Sequence, residues 1–172
     1  MENESGFKKI LDKVDEINTE SDFENKKRAF LTSQEAVNEA QNEVQRMYAG
    51  IENRIKEIQN RTFNFGIEKD TDNQSFILQN LKFSLSILWK KEYIDSNEGA
   101  ILYVRQWRGF RTKREDIYLR DGEAKILKCT EYVFDRNREG ENCWLSKAGG
   151  KQYLSKQIID YYILWLVEQI GK

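Results

Sequence analysis

Apolar residues recur with helical spacing in the first third of the chain. Over residues 6–18 they fall on one face of a helix, at Phe7, Ile10, Leu11, Val14 and Ile17. Asn18 interrupts this pattern. Ser21 followed by Glu24 has the form of a capping box, so we expect a second helix to begin there.

The second predicted helix is long and runs from about residue 22 to residue 60. Its apolar positions step by three or four residues, at Val37, Ala40, Val44, Met47, Ile51, Ile55 and Ile58. The residues between them are mostly polar or charged, so this stripe must pack on another helix, from the same chain or a second one. Thr32 with Glu35 forms another capping-box pattern, which leaves a break near residue 32 open. We expect the helix to continue through Gly50, since the stripe persists on both sides of it.

The period of the pattern changes to two after Arg61. Strands are expected at about residues 62–67, 81–90, 100–107, 129–135 and 142–146. A further hairpin is expected around Asp121-Gly122, a dipeptide typical of a two-residue type I′ turn. The alternation slips at Leu127 and Lys128, which indicates a β-bulge.

The C-terminal segment, residues 153–170, predicts a helix that is apolar nearly all round between Ile158 and Val167. We therefore expect an α+β fold. Residues 1–61 are expected to form a helical hairpin or coiled-coil arm. Residues 62–172 are expected to form an antiparallel β-meander of five or six strands with the last helix packed on it. The stripe of the second helix and the apolar last helix both favour a homodimer.

The composition excludes several kinds of catalytic and metal-binding site. The chain contains no histidine, which removes His-activated nucleophiles and His-ligated metal sites. Its two cysteines, Cys129 and Cys143, lack the spacing of a zinc site and are expected to be buried free thiols. Gly149-Gly150 precedes Lys151, but Gln152 stands where a phosphate-binding loop needs Ser or Thr. We therefore expect no catalytic residue, no metal and no small-molecule cofactor.

Charge and aromatic residues single out the middle of the chain. Residues 1–61 have a net charge of −3, whereas residues 82–156 have a net charge of +5. One segment in that basic region alternates aromatic and cationic side chains, a combination that suits phosphates and stacked bases. Its candidate binding residues are Tyr103, Arg105, Trp107, Arg108, Phe110, Arg111, Lys113 and Arg114.

The same segment admits a structural interpretation. Trp107 and Phe110 could pack beneath a neighbouring loop or helix, while the arginines pair with Glu115 and Asp116. In the binding interpretation Tyr103, Arg105 and Trp107 project from the face of their strand that lies away from the core. An exposed tryptophan beside arginine would then indicate a surface that a partner covers.

The functional expectation is a non-catalytic binding or adaptor protein that engages a protein partner, a nucleic acid or both, such as an inhibitor or accessory of a larger nucleic-acid enzyme. One alternative is direct binding of single-stranded nucleic acid. Another is a metal-dependent nuclease that uses Asp116 or Asp121 with Glu123 and Lys125. The polar N-terminus lacks a signal-peptide core, and no apolar run is long enough to cross a membrane, so we expect a cytoplasmic protein.

Overall fold

The computed structural model describes most of the chain, with side chains from Gly6 onward. The described residues are 2–59, 65–69, 75–80, 82–90, 101–109 and 125–171. They form an α+β arrangement of three helices and one open antiparallel sheet of seven strands. The helices are α1 (Glu2–Leu31), α2 (Gln34–Gln59) and α3 (Ser155–Ile170). The strands are β1 (Gly66–Lys69), β2 (Ser75–Gln79), β3 (Phe83–Lys90), β4 (Ile101–Arg108), β5 (Lys125–Arg136), β6 (Asn142–Ser146) and β7 (Gln152–Tyr153).

The sheet is a meander, because strand order in space follows strand order in the chain. The predicted topology is therefore confirmed, with seven described strands in place of five or six. Two of the seven, β2 and β7, gave no alternating signal in the sequence. Phe76, Ile77 and Leu78 of β2 are all buried, so both faces of that strand are apolar. β7 has only two residues, too few to show a period.

The first two helices divide at a different point from the one predicted. The expected break at residues 18–21 is wrong, since α1 continues to Leu31 and the chain breaks at Thr32–Ser33. Thr19 lies inside α1, and its hydroxyl donates to the Asp15 carbonyl oxygen one turn earlier, at 2.8 Å. The real cap is Ser33, whose Oγ accepts the backbone N–H of Ala36 at 3.2 Å.

The apolar stripe of α2 is buried within its own chain. Its most deeply buried members share the core with one face of the sheet and with α3, and they are Ala40, Val44, Met47, Ile51 and Ile55. This stripe therefore needs no second chain to cover it. The predicted boundary between residues 61 and 62 lies outside the described residues, and the division into two domains stays a prediction.

The sheet presents one face to the helices. Leu85, Ile87 and Trp89 of β3 and Leu102 and Val104 of β4 point into the core that α2 and α3 cover. In α3 the buried residues are Ile158, Ile159, Tyr162, Ile163 and Leu166, which confirms the predicted C-terminal helix on the sheet. The opposite face of β3 and β4 carries the alternate residues, so strand alternation assigns each side chain of β4 to one face.

The predicted bulge is confirmed in β5. Gln106 lies opposite Lys128, but Trp107 lies opposite Ile126, so Leu127 has no partner in β4. The hairpin predicted around Asp121-Gly122 lies outside the described residues.

Candidate binding surface on strands β4 and β5

The predicted binding residues of β4 divide between the two faces of the sheet. Tyr103, Arg105 and Trp107 occupy the face opposite the helices, as expected, whereas Arg108 has the alternation of the helix-bearing face. Tyr103 and Arg105 are half-buried, and Arg108 is exposed at the end of the strand. The other predicted binding residues, Phe110, Arg111, Lys113 and Arg114, lie outside the described residues.

Trp107 is buried, so the expectation that its indole is exposed is wrong. Its exposed fraction is only 6%. Its Nε1–H donates to Ser86 Oγ at 2.8 Å, and Ser84 lies directly opposite it on β3. Two small serines on the neighbouring strand give the large indole room to lie against the sheet. The sequence signal was present in the alternation of β3, where both of these non-core positions are serine.

Tyr103 holds two cations beside its ring. Lys90 Nζ lies 5.8 Å and Arg105 Cζ lies 5.9 Å from the ring centroid, distances typical of cation–π contacts. Glu131 lies directly opposite Tyr103 on β5, but its carboxylate forms an ion pair with Lys147 at 3.3 Å. Arg105 is therefore positioned by the Tyr103 ring, and the Glu131 carboxylate does not neutralise its charge.

A second group of cations lies where β4 ends and β5 begins. Arg108 and Lys125 are direct partners in the ladder, and Lys128 lies opposite Gln106 two residues away. All three cations are exposed, and within the described part of the chain no acidic side chain pairs with any of them. Like charges opposite each other weaken a strand pair unless an anion comes between them. We name Arg108, Lys125 and Lys128 the basic strand-end cluster.

Apolar side chains adjoin the basic strand-end cluster. Ile126 and Leu127 are each 48% exposed, which is unusual for large aliphatic residues. β6 pairs with β5 only from Tyr132 onward, so the first half of β5 has a ladder partner on one side within the described residues. Cations, aliphatic side chains and an open strand edge therefore coincide at one end of the sheet.

The nuclease alternative requires acidic side chains grouped around a metal ion. The described residues contain no group of three His, Cys, Asp or Glu side chains close enough to hold one. Of the predicted nuclease residues, Asp116, Asp121 and Glu123 lie outside the described residues, and Lys125 belongs to the basic strand-end cluster.

The two cysteines differ in environment. Both are free thiols, as predicted, but the expectation that both are buried is wrong for Cys129, which is exposed opposite Arg105. Cys129 lies in the half of β5 that pairs with β4 but that β6 does not reach. Cys143 is buried, and burial together with the nearby Asp135 carboxylate raises its pKa to about 12, which suppresses the reactive thiolate.

Among the described residues, every helix is too short or too polar to traverse a lipid bilayer. No protein-family model matches the chain, and neither the curated proteins nor the solved structures compared with it give a match.

Proposed function

We propose that this chain is a non-catalytic binding protein that engages an anionic macromolecule through the end of β4 and the start of β5. The contact residues are Arg108, Lys125 and Lys128, with Arg105 on the opposite face of the same strand end. An adaptor, or an inhibitor or accessory of a larger nucleic-acid enzyme, would use such a surface. The two free thiols support a reducing compartment such as the cytoplasm.

One observation carries this proposal: Arg108 and Lys125 are paired directly across two strands, both exposed and both cationic. Their repulsion costs stability in the free protein, and an anion placed between them would relieve it. An exposed aliphatic pair, Ile126 and Leu127, adjoins the charges and would lose contact with water on binding. A partner with both negative charge and apolar surface satisfies both features.

An acidic protein segment and a single-stranded nucleic acid both have these properties. The acidic protein is the leading candidate, because the described aromatic residue of this segment that would best stack on bases, Trp107, is buried against Ser86. Tyr103 is half-buried and its ring already contacts two cations. The nucleic acid is the alternative outcome of the same experiment.

Fluorescence anisotropy with two labelled probes distinguishes the two candidates. One probe is a single-stranded oligonucleotide, and the other is an acidic peptide with interspersed leucines. For the peptide we expect affinity that falls with added salt and that is lost when Arg108 and Lys125 are both replaced by alanine. If the oligonucleotide binds, the same pair of substitutions should lower the log–log salt slope by about 1.4.

The matched control replaces Lys151 and Lys156 by alanine, which changes the net charge equally at exposed positions elsewhere. This control should bind like the unmodified chain. Absence of binding to either probe at low salt would reject the proposed surface. Equal binding by the control and by the Arg108→Ala/Lys125→Ala variant would place the interaction elsewhere on the molecule.

Self-association is the second part of the proposal. The α2 stripe does not support it, since that stripe is buried in its own chain. Apolar side chains that stay exposed do support it, and among the described residues the largest such group lies on α1.

A further inference from the structure

The N-terminal half of α1 carries an apolar stripe that the described part of the chain leaves uncovered. The exposed fractions of its five side chains lie between 46% and 62%, and the residues are Phe7, Ile10, Leu11, Val14 and Ile17. Five large apolar residues on one face of one helix form a contiguous patch, and such patches mark interaction sites.

Among the described residues, it is the second half of α1 that docks on the body of the protein. Glu20 forms an ion pair with Arg138 at 2.7 Å, and Lys27 forms one with Asp135 at 3.0 Å. The Phe30 ring then lies 3.5 Å from the Arg136 guanidinium carbon. Residues 6–19 precede all of these contacts and are exposed along their whole length, roughly 20 Å of helix.

We propose that this stripe binds the same stripe of a second copy of the chain, with the two helices antiparallel and centred on residue 12. Reversal about residue 12 places Phe7 opposite Ile17 and Ile10 opposite Val14. Four of the five apolar positions thus map onto one another under a two-fold axis, as an isologous interface requires, while Leu11 lies opposite Lys13. The pairing locates the self-association proposed above and rests on it, but it is independent of the β4–β5 surface.

The charges beside the stripe favour the antiparallel arrangement. Lys8 and Asp15 are seven residues apart and flank the same edge of the stripe. In an antiparallel pair equivalent edges meet, so Lys8 of each copy lies near Asp15 of the other. Lys13 flanks the other edge, and its charge is already compensated within the helix by Glu16 at 2.7 Å. In a parallel pair opposite edges meet, so Lys8 of one copy would not face Asp15 of the other.

The length of free helix also fits this pairing. With the centre at residue 12, residue 4 of one copy lies beside residue 20 of the other. The overlap therefore ends where the Glu20–Arg138 contact begins to dock α1 on its own body. In this arrangement the two bodies lie at opposite ends of the helix pair.

A membrane surface suits the stripe less well than a second copy does. Residues 2–24 carry eight acidic and three basic side chains. Interfacial helices that bind anionic lipid instead carry an excess of lysine and arginine on the polar face. Vesicles of anionic phospholipid serve as a probe for this alternative, and binding to them in place of self-association would overturn the proposal.

Sedimentation velocity on the full chain over a wide concentration range tests the pairing. We expect a concentration-dependent mass that approaches twice 20.5 kDa. Ile10→Asp should weaken the dimer about 100-fold, because two isoleucines lose their burial in each dimer. The matched control is Thr19→Asp, which adds the same charge on the polar face of the helix and should leave the dimer intact. Both sites are exposed, so the fold of the body is not at risk.

Charge exchange and cross-linking test the orientation. Lys8→Asp should weaken the dimer about tenfold, and adding Asp15→Lys in the same chain should restore it. In a Cys129→Ser background, a mixture of Ile10→Cys and Val14→Cys chains should form a disulfide between copies. A disulfide formed more readily by Ile10→Cys alone would show a parallel pair and overturn the proposal.

The possible results distinguish three claims, which are self-association, the α1 interface and the β4–β5 surface. A dimer that Ile10→Asp leaves intact would refute the α1 interface while self-association stands. A monomer at every concentration would reject self-association and the α1 interface together. Neither result affects the test of the β4–β5 surface, which uses different residues and a different measurement.

Discussion

Lys27 of α1 and Asp135 of β5 form an ion pair at 3.0 Å that connects the N-terminal helix to the sheet. Asp135 is almost fully buried, and its other oxygen accepts a hydrogen bond from Gln152 Nε2 at 2.6 Å. One carboxylate thus joins α1, β5 and β7. Because a buried charge without partners is costly, these contacts depend on one another.

Asp135→Ala should lower the free energy of unfolding by about 3 kcal/mol, because the partly buried Lys27 ammonium and the Gln152 amide both lose their partner. Lys13→Met removes an ion pair whose two side chains are more than half exposed, and it should change stability very little. Urea denaturation followed by tryptophan fluorescence measures both variants. Equal stabilities for the two would show that the buried pair contributes no more than the exposed one.

The two serines that resemble helix caps should respond differently to alanine. Ser33→Ala removes the acceptor for the Ala36 N–H and should cost about 1 kcal/mol. Ser21 lies inside α1 and is exposed, so Ser21→Ala should be neutral or slightly stabilising, because alanine is the better helix former. Thermal unfolding by circular dichroism compares them. A larger loss for Ser21→Ala would place the helix break where the sequence pattern predicted it.

Elements whose two faces differ in polarity could be predicted from sequence, because burial then leaves a period in the pattern. The stripe of α2 and the alternation of β3 and β4 follow this rule. The bulge beside Leu127 is visible as a slip in such an alternation, whereas α3 is indicated by an apolar run of helical length. β2 did not, since Ile77 is buried on the face opposite Phe76 and the period disappears.

The errors arose where a tertiary contact overrides a local signal. A capping box at Ser21 is a local preference, and helix continuation is decided by the contacts that α1 makes further on with β5. Similarly, the polarity around Trp107 indicated exposure, while its indole is buried and donates to Ser86 Oγ, more than twenty residues earlier in the chain. The pairing of Arg108 with Lys125 could not be predicted without the strand register, because the two residues are far apart in sequence.

The two thiols should react at very different rates. Cys129 is exposed and should be labelled quickly by a disulfide reagent at neutral pH, whereas Cys143 should be labelled only on unfolding. Mass spectrometry of the labelled chain identifies the site. Rapid double labelling of the native chain would contradict the buried environment of Cys143.

Stability should also fall in alkali because of Cys143. Burial raises its pKa from 9.0 to about 12, so between these values the unfolded chain releases a proton that the folded chain retains. The stabilisation of the folded state that the neutral Cys143 thiol provides is therefore fully present below pH 9. It is lost as the pH rises toward 12, by at most about 1.4 kcal/mol per pH unit. Burial also raises the pKa of Tyr132 and Tyr162, so these two groups also lower the free energy of unfolding as the pH rises above 10. Cys143→Ala should flatten the decline just above pH 9, as urea titrations at several pH values would show.

Gly50 lies inside α2 because α3 passes close to it. A methyl group at this position would lie 2.7 Å from Cδ1 of Ile159, which is buried in the core. Gly50→Ala should therefore cost about 1 kcal/mol, since the overpacking exceeds the gain in helix propensity. Ile159→Val removes the colliding methyl group, so in that background Gly50→Ala should instead stabilise the protein by about 1 kcal/mol. A double-mutant cycle measured by urea denaturation tests this reversal of sign. If Gly50→Ala has the same effect in both backgrounds, helix propensity alone governs the position and the close packing of α2 on α3 has no energetic role there.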